Sequence, residues 1–344
     1  MEPFTHAFTS LALARAGQRR LPRFGTAMMI AAGLAPDLDY ASYLGGPEAF
    51  LRYHRTVLHS LAGSAVMACA IAGACCVLDK KFPVNHTVQG KTFAPLKFAP
   101  ALAASAAGAA GHLLLDVCSG VGVQLLWPFR ARWTGWDLST NFDPWILLLL
   151  VTGFLLPLLF GLIGEEVGER KKGPRGNRAA VVTMALLAAY LGARANLRGQ
   201  AVTLLLSREY HGRVPLSAGA YPDAATPLDW RGVVVTDNTI EEVDVPLGPG
   251  AAFDPDRSLT HHKPDDSPAL DAGEKTVAAA EFLGYARFPL ASVGRLEDGY
   301  RVELRDLRFA SGDTEPANVF LRMDLDSSLQ IRREEFRFAA SPGP

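Results

Sequence analysis

Cysteine is scarce in this chain, its charge is nearly balanced, and the common catalytic signatures are missing. The four cysteines, Cys69, Cys75, Cys76 and Cys118, lie in or beside apolar segments without a CxxC pair, so they read as small buried hydrophobes with no disulfides. A net charge of -1 gives bulk electrostatics no part in binding nucleic acid. There is no HExxH, no Walker loop and no GxGxxG, so metalloprotease, NTPase and dinucleotide-binding readings lack their motifs. No GxSxG elbow surrounds Ser60, which argues against serine nucleophile chemistry there. No cleavable signal is expected at the start, where the charges follow the apolar stretch instead of preceding it.

What is present is unevenly spread. The chain has 344 residues, of which 49% are hydrophobic and 20% charged. Residues 1 to about 200 are dominated by Ala, Leu, Gly and Val, whereas residues 205–344 are polar. Such a split predicts two domains in different solvents. A bilayer span needs about 20 largely apolar residues. Segments near 26–44, 57–78, 98–117 and 144–164 meet that length, residues 179–197 are shorter, and residues 3–17 are marginal. The expected fold class is mainly α: a polytopic transmembrane helical bundle of five to six apolar helices over residues 1–200, followed by a small soluble α+β domain with an antiparallel sheet over residues 205–344. Strand-like runs fall at 232–237, 240–246, 300–310, 318–326 and 329–338. A bulge or turn is expected near Arg305, one helix over 269–284, and loop over 248–268 and around Pro215, Pro222 and Pro227.

Basic residues orient the spans. If residues 3–17 cross with the N-terminus outside, the inner loops hold Arg15, Arg19, Arg20, Arg23, Lys80, Lys81, Lys91, Lys97, Arg170, Lys171, Lys172, Arg175 and Arg178. The outer loops hold only Arg52, Arg55, Arg130 and Arg132. Thirteen against four predicts a multi-pass inner (plasma) membrane protein with an extracytoplasmic C-terminal domain.

Short polar islands interrupt the apolar half: His6, PDLD at Pro36 to Asp39, HRTVLHS at His54 to Ser60, GHLLLD at Gly111 to Asp116, and WDLSTNFDP at Trp136 to Pro144. Ionisable groups at the ends of hydrophobic helices point to function. In the topology above, all these islands meet at the outer membrane face. Imidazoles beside carboxylates are the ligand chemistry of zinc or a related divalent metal. His112 and Asp116, four apart, share a helical face; both can be ligands, or Asp116 can orient a histidine. Asp37 and Asp39 at a proline bend can hold an ion or cap a helix. The candidate metal ligands are His6, Asp37, Asp39, His54, His59, His112 and Asp116. Asp39 and Asp143 are candidates to take a proton, and Arg55 to bind an anionic group such as phosphate. Asp143 can equally be a cap, Asp137 shares its alternatives, and Asn141 is a weaker candidate. His86 falls on the inner face, and His211, His261 and His262 read as solvated loop residues outside the site.

The ordered set of Thr5–His6, Pro36–Asp39, His54–Ser60, His112–Asp116, Pro128–Phe129 and Asp143–Pro144 resembles the YdjM-type family of membrane-bound metal-dependent hydrolases over about residues 3–200. The segment PDAATPLDWRGVVV also resembles the tail of members with an extra C-terminal region. The resemblance implies a polytopic membrane protein with a metal-assisted hydrolase site, and names no substrate. Together with the residues, it leads to the expectation of a membrane hydrolase using zinc-activated water on an ester or phosphoester of a lipid-like substrate, with the bilayer as its partner. The alternative is a non-enzymatic membrane protein, in which a structural metal clamp joins helices and the C-terminal domain binds a partner.

Overall fold

The computed structural model describes residues 1–18, 20–82, 95–166, 177–309 and 319–337, the side chains of 161–166 excepted. His86, Arg19, Lys91, Arg170, Lys171, Lys172 and Arg175 lie outside the described residues, as do the outermost residues of the strand runs expected over 300–310, 318–326 and 329–338. Nearly all helices come first: α1 (Pro3–Gly17), α2 (Gly25–Leu34), α3 (Gly46–Tyr53), α4 (Leu61–Lys81), α5 (Phe98–Cys118), α6 (Pro144–Glu166) and α7 (Asn177–Leu206). The chain divides into two compact units. One comprises Met1–Asp39 with Arg55–Ala195, the other Tyr40–His54 with Asn196–Pro344. Residues 40–54, expected with the helical half, thus group with the C-terminal residues.

In the first unit, the local sequence sets the helix starts. Glu2 accepts the Thr5 N–H at 2.9 Å ahead of Pro3, and Ser60 Oγ accepts the Gly63 N–H at 2.9 Å to open α4. Among the described residues, three helices are long and apolar enough to cross a membrane: α4, α5 and α7. The stretch Pro144–Phe160 is apolar but shorter. The segment expected as one span over 26–44 is not a continuous α-helix. Pro36 follows the end of α2, and Ala35–Gly45 winds on as a 3-10 helix. α7 extends nine residues past the expected 197.

α2 and α5 cross at small residues. A Cβ built on Gly108 would lie 2.1 Å from the Met29 carbonyl oxygen, and one on Gly33 of α2 would lie 3.5 Å from the Gly108 carbonyl oxygen and 2.0 Å from Ser10 Oγ of α1. Membrane helices, which gain little from apolar burial against each other, pack through such close backbone approaches.

The second unit holds two four-stranded antiparallel sheets where one was expected. The first is β1 (Ser217–Pro222), β2 (Asp229–Val235), β3 (Thr239–Pro246) and β4 (Leu259–His262); the second is β5 (Pro289–Leu296), β6 (Gly299–Asp306), β7 (Phe320–Asp326) and β8 (Ile331–Arg337). β2 is buried on both faces, which explains its unbroken GVVV run. Trp230 and Val234 pack on Ala201 and Leu205 of α7, while Val233 packs with Phe288, Leu290 and Leu307. Gly232 admits Leu205, whose Cδ2 would sit 2.5 Å from an added Cβ.

β1, β4 and β5 fall where loop or nothing was expected. Prolines and the short β4 hid their alternation. The helix expected over 269–284 is two: α8 (Pro268–Glu274) and α9 (Val277–Tyr285), separated because Thr276 Oγ1 caps α9 by accepting the Ala279 N–H at 3.1 Å. The phase shift near Arg305 is no bulge. β6 ends at Asp306, and Leu307–Phe309 turns as a 3-10 helix; the register shift lies at Asp324/Leu325.

On β6, Glu303 accepts from Arg322 Nε at 2.7 Å and from Arg305. Burial raises its pKa, but these two guanidiniums outweigh it and hold the carboxyl below the usual glutamate range. The contribution is therefore complete above the unfolded glutamate value of about 4.3 and is lost as pH falls through the lower folded value. Thermal melting against pH should fall steeply below about pH 4 in the native protein and less steeply in Arg322→Ala; parallel curves would show that the pair does not contribute.

Candidate metal centre

Five helix ends converge in the first unit: the N-terminal ends of α1, α4 and α6 and the C-terminal ends of α2 and α5. Each brings a polar group that the neighbouring turn holds in place. His59 lies in the turn before α4. Its Nδ1 meets Asp39 Oδ2 at 2.7 Å, which points Nε2 away, toward Asp116 Oδ2 at 3.1 Å and Asp37 Oδ1 at 3.7 Å. His112, one turn above the end of α5, has its Nδ1 2.8 Å from the Gly33 carbonyl oxygen. Its Nε2 lies 3.2 Å from Asp116 Oδ2 and 3.8 Å from Asp37 Oδ1. His6, from the first turns of α1, stacks on His112 at 3.7 Å between ring centroids, with Nε2 3.3 Å from Asp116 Oδ1.

Two overlapping sets, His6–Asp37–His112 and His59–His112–Asp116, each place their ligand atoms within 4.8 Å of one another. A tetrahedral ion with bonds near 2.1 Å sets its ligand atoms roughly 3.4 Å apart. The gaps of 3.1 to 3.8 Å suit that spacing. The protein groups also need such a partner. Both ring nitrogens of His6, Nε2 of His112, Oδ2 of Asp37 and Oδ2 of Asp116 are buried without a hydrogen bond, and buried polar atoms are rarely left so. This donor set, nitrogen and carboxylate oxygen with no sulfur, fits zinc or a related divalent cation.

Positive charge already faces Asp116. The Met1 amino group contacts Oδ1, and Arg55 Nη1 lies 3.4 Å from it. Arg55 also donates to Ser119 Oγ at 3.2 Å and Asn141 Oδ1 at 3.1 Å. Its backbone is left-handed, with φ of 58°, a conformation that costs on the order of 1–3 kcal/mol. It is held by its N–H on Asp39 Oδ2 at 2.8 Å and its carbonyl under Gln124 N–H at 3.0 Å.

Four of the candidate residues make further contacts. Asp39 Oδ2 supports both His59, at its Nδ1, and the Arg55 backbone N–H. Asp143 caps α6: its Oδ1 accepts from Trp145 N and Ile146 N, each at 3.1 Å, and lies 3.5 Å from the Tyr190 hydroxyl. Asp143 thus makes the helix cap that the sequence left open. His54 belongs to the other unit, where it stacks on Phe50 at 4.3 Å and meets the Tyr40 ring at a tilt at 4.5 Å. The Arg55 guanidinium, offered as an anion binder, is spent on Asp116, Ser119 and Asn141. Outside the site, His261 lies in β4 and pairs with Glu242 of β3 at 3.0 Å, whereas His211 is an exposed turn residue whose Nε2 lies 3.2 Å from Ser258 Oγ.

Gly33, Gly108 and Ser119 went unnoticed in the sequence. A backbone carbonyl such as that of Gly33 leaves no side-chain signal. The small-residue run around Gly108 did carry one, since such spacing marks a close helix crossing.

A family model described as YdjM inner membrane protein matches residues 1–201 of the chain. No curated protein and no solved structure matches it.

The Gly108 contact lies one turn before His112, as Met29 lies one turn before Gly33. Gly108→Ala should therefore push α2 from α5 and loosen the His112–Gly33 bond. Zinc affinity of the purified variant is expected to drop about tenfold, the low end for losing a group that orients a ligand; native affinity would uncouple the crossing from the centre.

Proposed function

We propose that this chain, which belongs to the YdjM family of inner membrane proteins, is a membrane-embedded metal-dependent hydrolase acting on an ester or phosphoester of a lipid-like substrate. The observation that carries the reading is the convergence of three imidazoles and two carboxylates, from four separate segments, at gaps suited to one ion. His6, Asp37, His59, His112 and Asp116 would hold a divalent cation, zinc by its donor set. When bound, the cation supplies a nucleophile from water at neutral pH and Lewis acidity toward the scissile bond. Asp39 fixes the His59 ring, and the Gly33 carbonyl fixes His112, so both rings present Nε2 to the centre. Arg55 balances Asp116 and ties the loop after α5 to the turn before α4. Asp37 is the least enclosed of these carboxylates. A site at the helix ends, at membrane depth, favours a lipid-like substrate.

A structural metal clamp is the second reading. It is favoured by the near-complete burial of His6, His59, His112 and Asp116. Closed structural zinc sites are satisfied by four ligands, whereas five candidates converge here, which favours the hydrolase.

The same proposal includes five to six spans and an extracytoplasmic C-terminal domain, supported by the thirteen-to-four distribution of basic residues. Alkaline phosphatase fused after Pro344 is expected to be active. An inactive fusion, with a cytoplasmic reporter active at the same point, would reverse the orientation.

Metal content tests the centre. His112→Ala and His59→Ala should insert normally yet lose most of their zinc, and with it any hydrolysis of esters or phosphoesters by the native protein. Asp116→Asn keeps shape but removes charge, and should lose metal nearly as Ala does. An Asn variant with full metal content would remove Asp116 from the centre. Zinc-replete native protein that cleaves no ester or phosphoester in lipid-like substrates would leave the clamp as the better reading.

A further inference from the structure

Residues 124–133, in the loop between α5 and α6, form a finger. Val123 and Thr134 exchange both backbone hydrogen bonds, at 2.9 and 2.8 Å, and close it at the neck. Inside it, the Trp127 N–H donates to the Gln124 carbonyl at 3.1 Å. The Phe129 and Arg130 N–H groups donate to the Leu126 carbonyl at 2.9 and 3.1 Å. The tip is thus wound into successive turns by its own backbone.

Two bonds set the height of the finger. The N–H of Leu61, the first residue of α4, donates to the Leu125 carbonyl at 3.0 Å, and the Gln124 N–H donates to the Arg55 carbonyl at 3.0 Å. α5 ends at Cys118, shortly before the neck. α4 and α5 have 21 residues each, a length of roughly 32 Å, which matches a hydrocarbon core of about 30 Å. With these helices in a bilayer, the start of α4, the end of α5 and the base of the finger share one interface.

The tip carries the groups that such an interface accepts. Phe129 is 86% exposed and Leu126 47%. Arg130 and Arg132 are exposed beside them, and neither has an ion-pair partner among the described residues. No acidic residue occurs from Ser119 to Trp136. An ordered turn that displays phenylalanine and leucine to water gains nothing by it, so such a display marks a contact surface. At a bilayer surface the apolar groups enter the acyl layer while arginine heads stay among the phosphates. A guanidinium matches a phosphate with paired hydrogen bonds, and two of them without acidic neighbours favour anionic headgroups.

We propose that residues 124–133 are a lipid-binding finger, in which Leu126 and Phe129 enter the edge of the hydrocarbon layer and Arg130 and Arg132 hold the phosphates of anionic phospholipids. The proposal needs α4 and α5 to span a bilayer and is independent of the metal reading. Because Gln124 is bonded to Arg55, whose guanidinium faces Asp116, lipid gathered by the finger collects beside the helix ends that carry the His/Asp cluster.

The test uses the full chain in nanodiscs, with a bimane on Phe129→Cys after Cys69, Cys75 and Cys76 are replaced by alanine; Cys118 is buried. Leu126→Cys is a second label site. Phospholipid with a nitroxide high on its acyl chain is expected to quench the label, and aqueous iodide to leave it bright. Quenching by iodide would put the tip in water, and a label reached by neither quencher would put it against protein; either result overturns the proposal. Nitroxide-labelled phosphatidylglycerol should quench at a lower mole fraction than nitroxide-labelled phosphatidylcholine, by about fivefold for each arginine. Arg130→Gln/Arg132→Gln should remove that preference, and Arg130→Lys/Arg132→Lys should keep it. Equal quenching by the two lipids in the chain with both arginines would overturn the anionic choice. Inorganic phosphate that abolishes the preference at constant ionic strength would indicate a site for free phosphate and overturn it as well. A bimane on Cys69, exposed on α4, is the reference for the span. If lipid does not quench that label, α4 does not lie in the bilayer, and the finger falls with it.

Discussion

A carboxylate in an apolar helical bundle has to be met by positive charge, by hydrogen-bond donors or by a metal, since an unpaired buried ion costs more than a small fold can absorb. Asp116 is that carboxylate here. It is wholly buried, and the architecture of the first unit can be read as the means of meeting it. α1 brings His6 and the Met1 amino group, the turn before α4 brings His59, and Arg55 reaches in from a left-handed backbone. His112 rises from the same helix one turn away. The helices are positioned by packing, but the choice of which ends meet follows from this one group.

The meeting needs a close crossing. Only glycine at position 108 lets the α2 backbone approach α5, and only that approach brings the Gly33 carbonyl to His112 Nδ1. The two rings most firmly anchored at Nδ1 are held in different ways, His59 by a carboxylate and His112 by a backbone carbonyl. A carboxylate makes its imidazole a stronger donor than a carbonyl does, so the two histidines would not be equivalent toward a metal ion.

Much of this could be read from the residues. His112 and Asp116 at helical spacing, the proline bend at PDLD and the isolated His6 all pointed to one place, because apolar surroundings make each ionisable group conspicuous. The helix limits at Pro3–Gly17 and Phe98–Cys118 were equally plain in the hydropathy. The division of labour within the cluster was not. Asp37 and Asp39 are two apart and chemically identical, and only the fold decides that one faces the ligand atoms while the other turns to His59. His54 and His59 stand in one motif, yet a ring stacked on Phe50 and a ring aimed at Asp116 leave the same trace in sequence. In the C-terminal half, a strand such as β1, broken up by Gly219 and Pro222, lacks the alternation that made β3 legible.

The Tyr40–His54 segment also bears on the order of assembly. Every candidate ligand has been synthesised by residue 116, but the groups that pack against α3 come from α9 and β8, which end at Tyr285 and Arg337. Chains are made from the N-terminus and their domains fold as units. The helical half can therefore insert and pack long before the segment joining two of its site residues gains its neighbours. The candidate ligands all lie in about the first third of the chain.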